Sequence, residues 1–329
     1  MSFTPYDQTP SVFAKSAFRG RVFGVTGSAH GIGEATVKQL ARLGASVVVM
    51  DIDAENLQRV KEELRSVNAS MRCHPGDVAD PRFLKKVISD AHRRWGRIDG
   101  WVNNAMFNSF GTPERQELRD LNRIWQVNVQ AAWVACGLLT PIMKAAGGGS
   151  IVNLGSFLSH HPHPHNTAYC TTKAAIEGFT RALAVDLARD RIRVNAVVPG
   201  TINTAYGPPP KYRPQPPSVP AATLQKSLAI RKQMTELIWR HAHPLPDQGQ
   251  SRDAADAILF LLSDAARFIT GSSLHVDGGA GAFSLHPAAI EAASLARAYK
   301  THWALLKKHP TLRMSYLLSA QKKRLRGKK

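Results

Sequence analysis

Cysteine is scarce. Cys73, Cys136 and Cys170 are the only three in 329 residues, and no two form a C-x-x-C pair. This argues against a disulfide framework and against the commonest zinc-site spacing, and it fits a reducing compartment. Long apolar runs are missing as well: no stretch approaches the roughly 18 uninterrupted apolar residues of a membrane span. Met1 to Gly20 holds no continuous apolar segment of the kind a secretory signal needs, so a cytoplasmic location is expected. Acidic residues are also in short supply. Asp and Glu number 24 against 43 Lys and Arg, a formal net charge of +19. Such an excess invites a polyanion or an anionic surface as partner, and its distribution along the chain is the test.

What is present suffices for an ordinary core: 43% of residues are hydrophobic. From Arg21 to Gly279 apolar strand-like runs alternate with amphipathic helical ones. Strands are expected at Val22–Val25, Ser46–Met50, Ser70–His74, Ile98–Val102, Ser150–Leu154, Ile192–Val198 and Ser272–Val276. Helices are expected at Ile32–Leu43 (stopped by Gly44), Ala54–Ser66, Pro81–Trp95 with Asp80 as N-cap, Arg115–Ala146, Ala168–Arg189 and Ala254–Leu262. Alternation of this kind predicts an α/β fold, with seven parallel strands, helices on both faces and doubly wound connections. Residues 1–20 read as an N-terminal arm and 21–283 as one domain. Within it, 205–250 is an insert whose first part is crowded with prolines and cannot be helix or central strand. Residues 284–329 form a basic extension, in which Leu295, Tyr299, Trp303 and Leu306 share one helical face ahead of a final run of Lys and Arg.

Three local patterns carry chemistry. Tyr169 and Lys173 lie four residues apart on a helical run, so they project from one face and an ammonium can stabilise an ionised phenol. Thr26-Gly27-Ser28-Ala29-His30-Gly31-Ile32-Gly33 lies between the first strand and the first helix, where glycines permit a tight turn and close approach of a pyrophosphate. Asp51, followed by Ile52, ends the second strand. A carboxylate there accepts ribose hydroxyls and repels a 2′-phosphate, which favours NAD over NADP.

With these motifs in order, the chain resembles the short-chain dehydrogenase/reductase family over residues 20 to 280. Further matches are Asp77-Val78, Asn103-Asn104-Ala105, Asn128, Ser156, the segment Pro199-Gly200 through Ile202 to Thr204, and Asp277-Gly278-Gly279. The resemblance implies a Rossmann-type fold and hydride transfer between a secondary alcohol or ketone and NAD. It assigns Tyr169 as general acid or base and Ser156 as the holder of the substrate oxygen. Lys173 lowers the tyrosine pKa and binds the nicotinamide ribose, and Asn128 holds a relay water. Gly27, Ser28, His30, Gly31, Ile32, Gly33, Asp51, Ile52, Asp77, Val78, Asn104, Ala105, Tyr169, Lys173, Pro199, Gly200, Ile202 and Thr204 are the expected cofactor contacts. A homodimer or homotetramer, joined through the helices at 115–146 and 168–189, is the expected assembly.

The chain departs from the family where Met106 replaces a usual glycine. Met106, Phe157, His163, Tyr206 and Trp239 are the expected substrate-pocket residues, and the length of the insert suggests a bulky substrate. The run His160-His161-Pro162-His163-Pro164-His165 could hold metal, but prolines splay the imidazoles, so a polar loop with no metal is the favoured reading. About half of the excess charge lies in the extension. An anionic substrate, an anionic lipid surface, nucleic acid or simple packing with a solvated end could each account for it. Packing and solvent are favoured and nucleic acid is not, since no binding module is present. The competing function is a catalytically weak binding or regulatory protein that uses its basic tail on nucleic acid or another polyanion.

Overall fold

The computed structural model describes residues 13–66, 69–204 and 243–282. Seven strands form one parallel sheet: β1 (Val22–Thr26), β2 (Ser46–Asp51), β3 (Met71–Pro75), β4 (Gly100–Asn103), β5 (Gly149–Leu154), β6 (Ile192–Pro199) and β9 (Ser273–Val276). Their order is β3-β2-β1-β4-β5-β6-β9. The chain first winds outward from β1 to β3, then crosses back to β4 and winds the other way. This reversal between β1 and β4 opens a crevice at the carboxyl ends of the strands, where open α/β sheets bind ligands. A short parallel pair, β7 (Ile202–Asn203) and β8 (Gly249–Gln250), stands apart from the main sheet.

Period-two alternation splits the strand residues into two cores. Phe23, Val25, Val47, Val49, Val102, Val152 and Val197 face one side, under α1 (Gly31–Arg42), α2 (Ala54–Ser66) and α7 (Ser251–Leu262). Val22, Val48, Met50, Trp101, Ile151 and Val194 face the other, under α3 (Pro81–Trp95), α5 (Ala131–Ala145) and α6 (Thr167–Leu187). Both faces are covered, which is why the strands read as continuous apolar runs.

Several expected boundaries move. The helix expected over Arg115–Ala146 is not continuous. Residues 112–116 form a turn in which Thr112 O accepts from Arg115 N and Gln116 N. The helical stretch then runs as α4 (Leu118–Trp125), a π turn (Gln126–Gln130) and α5, with Pro141 accommodated inside α5. Helix α7 starts three residues before the expected Ala254, because Gln250 and Asp253 form a capping box; Gln250 N donates to Asp253 Oδ2 at 2.7 Å. Residues 13–20, the described part of the N-terminal arm, lie against the domain. Phe18 is fully buried and packs edge-on against Phe23, with ring centroids 5.2 Å apart. A segment this short has no periodicity from which that burial could be read.

Asp80 caps α3 as expected, its side chain accepting from Arg82 N at 2.9 Å. Gly24, on β1, lies under the indole of Trp101, and a Cβ there would stand 2.3 Å from the ring. Gly24→Ala is therefore expected to destabilise the fold by about 1–3 kcal/mol through overpacking. A urea midpoint unchanged by the substitution would show that the Trp101 contact is not tight.

Candidate active site

The crevice begins at the turn after β1. Gly27 has φ +67, a left-handed conformation costly for other residues. A Cβ on Gly33 would stand 2.1 Å from Gly27 O, so only glycine closes this turn. Asn104 fastens it from β4's end, with Nδ2 donating to Thr26 O and Gly27 O, both at 2.9 Å. Thr26 Oγ1 accepts in turn from Asn104 N and Ala105 N at 2.9 Å. Ser28 is buried and bonded to Val25 O and Met50 N, so it braces the turn. The cradle left by Gly27, Gly31 and Gly33 at the start of α1 fits a pyrophosphate.

Asp51 closes the adjoining side. Its Oδ2 accepts from Ala29 N at 3.0 Å and its Oδ1 from Asp53 N at 2.9 Å. Burial raises its pKa, and the two amide bonds oppose that rise. The cations around it are taken. Arg59 serves Glu34, Glu63 and Ala29 O, and the His30 ring lies 3.0 Å from Asp53 Oδ2. Asp77 accepts from Ala79 N at 3.0 Å and from Arg123 Nη2 at 2.9 Å, next to buried Val78. Ile52 is 64% exposed at the rim. Thr204 reaches back to the glycine turn, since a Cβ on Gly31 would lie 3.1 Å from its side chain. Pro199 ends β6, Gly200 packs on Asp277, and Ile202 lies in β7.

Helix α6 brings Tyr169 and Lys173 to the same crevice, one turn apart and both buried. Ser156, immediately beyond β5, hydrogen-bonds Tyr169. Burial pushes the tyrosine pKa up, and the Ser156 bond opposes it. Lys173 lies beside the Tyr169 ring. Its Nζ lies 5.8 Å from the ring centroid and donates to Leu154 O at 2.6 Å. Burial lowers the lysine pKa to about 8. Asn128 sits buried in the π turn, where its Nδ2 donates to Phe107 O and Thr172 Oγ1 at 3.0 Å and its Oδ1 accepts from Phe107 N at 2.7 Å. It thus ties the loop after β4 to α6.

The outer wall is made by loops. Met106 is half exposed, and Phe157 stacks on His161 with centroids 4.4 Å apart. His163 is exposed, while His165 adopts φ +65 and its carbonyl accepts from Gly111 N at 2.9 Å. Among the described residues no cluster of three His, Cys, Asp or Glu side chains converges on a metal position. Tyr206 and Trp239 lie outside the described residues, as do most of the insert and all of 284–329.

One residue of the site went unnoticed in the sequence. Glu177, one turn beyond Lys173, is buried; it accepts from Ser159 Oγ, pairs with His160 Nε2 at 3.0 Å and accepts from Ser273 Oγ at 3.0 Å. Ser159 Oγ also contacts Ser156 O at 2.5 Å. Burial pushes Glu177 upward, but these bonds prevail and hold it below the ordinary carboxylate range. The acid therefore braces the loop that carries Ser156. Its signal was a carboxylate at i+4 from Lys173 on a buried helix face.

The chain is similar to known proteins. The family profile described as short chain dehydrogenase matches residues 21–209, and one described as enoyl-(acyl carrier protein) reductase matches 217–281. The chain belongs to the short-chain dehydrogenase family. It is 32% identical to the 3-oxoacyl-(acyl-carrier-protein) reductase FabG of Thermotoga maritima, over 79% of this chain and 97% of that protein. It is also 32% identical to 2,5-dichloro-2,5-cyclohexadiene-1,4-diol dehydrogenase LinX of Sphingobium indicum, over 79% and 96%. The crystal structure of a short-chain dehydrogenase/reductase from Burkholderia xenovorans superposes with a TM-score of 0.69 at 30% identity, covering 82% of this chain and 99% of the other. Oxidoreductase chemistry on a CH–OH group with a nicotinamide cofactor follows from membership. No described helix is long and apolar enough to cross a membrane.

Glu177→Gln is expected to cost about 1–3 kcal/mol at pH 7, the range for hydrogen bonds to a charged group. Because the folded-state pKa is depressed, this contribution is complete above the unfolded glutamate value, near ~4.3, and is lost as pH falls through the lower folded value. Urea midpoints of wild type and variant should converge on acidification; a gap of constant size would rule out the brace.

Proposed function

We propose that this protein is an NAD-dependent dehydrogenase that interconverts a secondary alcohol and a ketone, with Tyr169 as general acid and base. The observation that carries the reading is the buried convergence of Tyr169, Ser156 and Lys173 beside the glycine turn. The glycine turn, Asp51 and the Pro199–Thr204 segment would hold NAD, whose nicotinamide would give or take the hydride when bound. Ser156 orients the substrate oxygen. In the reductive direction Tyr169 gives its proton to that oxygen, and in the oxidative direction it takes the proton back. Lys173 lies near enough to favour the ionised phenol while it is itself protonated, below about pH 8.

Asp51 supports NAD over NADP. A 2′-phosphate would meet the half-buried Asp51 carboxylate, and the neighbouring guanidinium of Arg59 is already committed to two glutamates. The named relatives act on different compounds, a 3-oxoacyl-(acyl-carrier-protein) and a dichlorocyclohexadiene diol, so they leave the substrate open within small-molecule alcohols and ketones. Tyr169→Phe is expected to lower turnover by at least about 100-fold, the size of a general acid–base contribution, with NAD binding retained. Asp51→Ser should narrow the preference for NADH over NADPH. A screen of alcohols and ketones with both cofactors reads each effect. Full activity in Tyr169→Phe would sink the mechanism, and an absence of turnover beside salt-dependent nucleic-acid binding would favour a regulatory protein.

The assembly we infer is a homodimer or homotetramer. Leu118, Trp133 and Val185 are 73%, 66% and 78% exposed on α4, α5 and α6, and Trp133 stacks outward on Phe179 at 5.2 Å. Large apolar groups clustered on adjacent helices suit a subunit contact. Sedimentation should find at least a dimer at micromolar concentration, and a monomer alone would reject this.

A further inference from the structure

The amino ends of the strands, opposite the crevice, carry a second concavity. An open cavity of about 680 Å³ lies at the starts of β1, β5 and β6, within the size range of small-molecule sites. Five arginines line it against two aspartates. Two of the arginines are paired: Arg21 forks onto Asp264, and Arg97 onto Asp99. A third, Arg193, donates to Leu261 O at 2.7 Å and Ser263 O at 3.0 Å. Arg191 and Arg267 remain. Both are exposed, and among the described residues neither guanidinium has an ion pair or hydrogen bond.

Arg191 is unusual in a second, independent way. Its backbone is left-handed, with φ +57 and ψ +27, a conformation few residues other than glycine adopt. This left-handed residue closes the helical stretch after α6, its N–H donating to Ala188 O at 3.0 Å, and so fixes the backbone of an arginine on the cavity wall. In the wall beneath it, Gly148 and Gly149 pack on Arg191 O and Met143, while Gly147 has open space where a side chain would stand, so a ligand can approach the backbone there. At the rim Phe268 is 96% exposed and offers an aromatic face.

We propose that this cavity is a second binding site, for a small phosphate-bearing molecule of nucleotide size. Arg191 and Arg267 grip the phosphate, since guanidinium forks match phosphate oxygens, and Phe268 stacks on the ring. The site is separate from the oxidoreductase reading and stands or falls without it.

The test is calorimetric titration of the full chain with inorganic pyrophosphate and with AMP, in the presence of saturating NADH. Both ligands should still bind. Arg191→Gly with Arg267→Ser should weaken both at least tenfold, while a thermal midpoint equal to or above that of wild type confirms the fold, because glycine suits the left-handed position. Phe268→Ala should weaken AMP more than pyrophosphate. Unchanged affinity in the double variant would assign binding to other basic segments and overturn the proposal. So would displacement by NADH, which would assign binding to the glycine turn, or binding of duplex DNA alone with a steep salt dependence.

Discussion

The reversal of strand order between β1 and β4 is the constraint on which the rest depends. Strands that wind apart leave their carboxyl ends uncovered at that one place, and the polar residues of the site collect there. The opening is held by hydrogen bonds rather than by packing. Asn104 and Thr26 join β4 to β1 at the mouth, and Asn103 Nδ2 donates to Asn153 Oδ1 at 2.8 Å to join β4 to β5. Asn153 in turn donates to Thr180 on α6 at 2.9 Å. The sheet, the glycine turn and the helix bearing Tyr169 therefore form one bonded frame.

Electrostatics along α6 divides the labour of its buried groups. Burial acts on all three ionisable residues and disfavours charge in each. Tyr169 rises and Lys173 falls, so both are drawn toward neutrality. Glu177 alone resists, because three side chains donate to it or pair with it. The helix thus carries two groups whose charge can change with their surroundings and one whose charge is fixed. The fixed one anchors the loop of Ser156.

Legibility followed the range of the interaction. The glycine turn, Asp51 and the Tyr169–Lys173 pair are local patterns whose meaning lies within a few residues, and the structure brings them to one crevice. The strand alternation was equally plain, since period two sorts each residue to one of two cores. Glu177 was missed because its partners, Ser159 and Ser273, are 18 and 96 positions away. The π turn was missed because its sequence is a good helix pattern with one residue too many. Arg191 reads as an ordinary turn residue until its φ is known. The carbonyl of Leu154, which takes the Lys173 ammonium, was not legible because it lies on β5, 19 positions away.

A π turn is a helix with one residue more than its regular path needs. Residues 126–130 therefore fix a count as well as a shape. Losing one of them would restore the regular spiral with its flanks facing much as before, but would draw in the bulge on which Asn128 meets Phe107 and Thr172. The length of this stretch therefore matters as much as its side chains, because one residue fewer removes the bulge that lets Asn128 reach both the loop after β4 and α6.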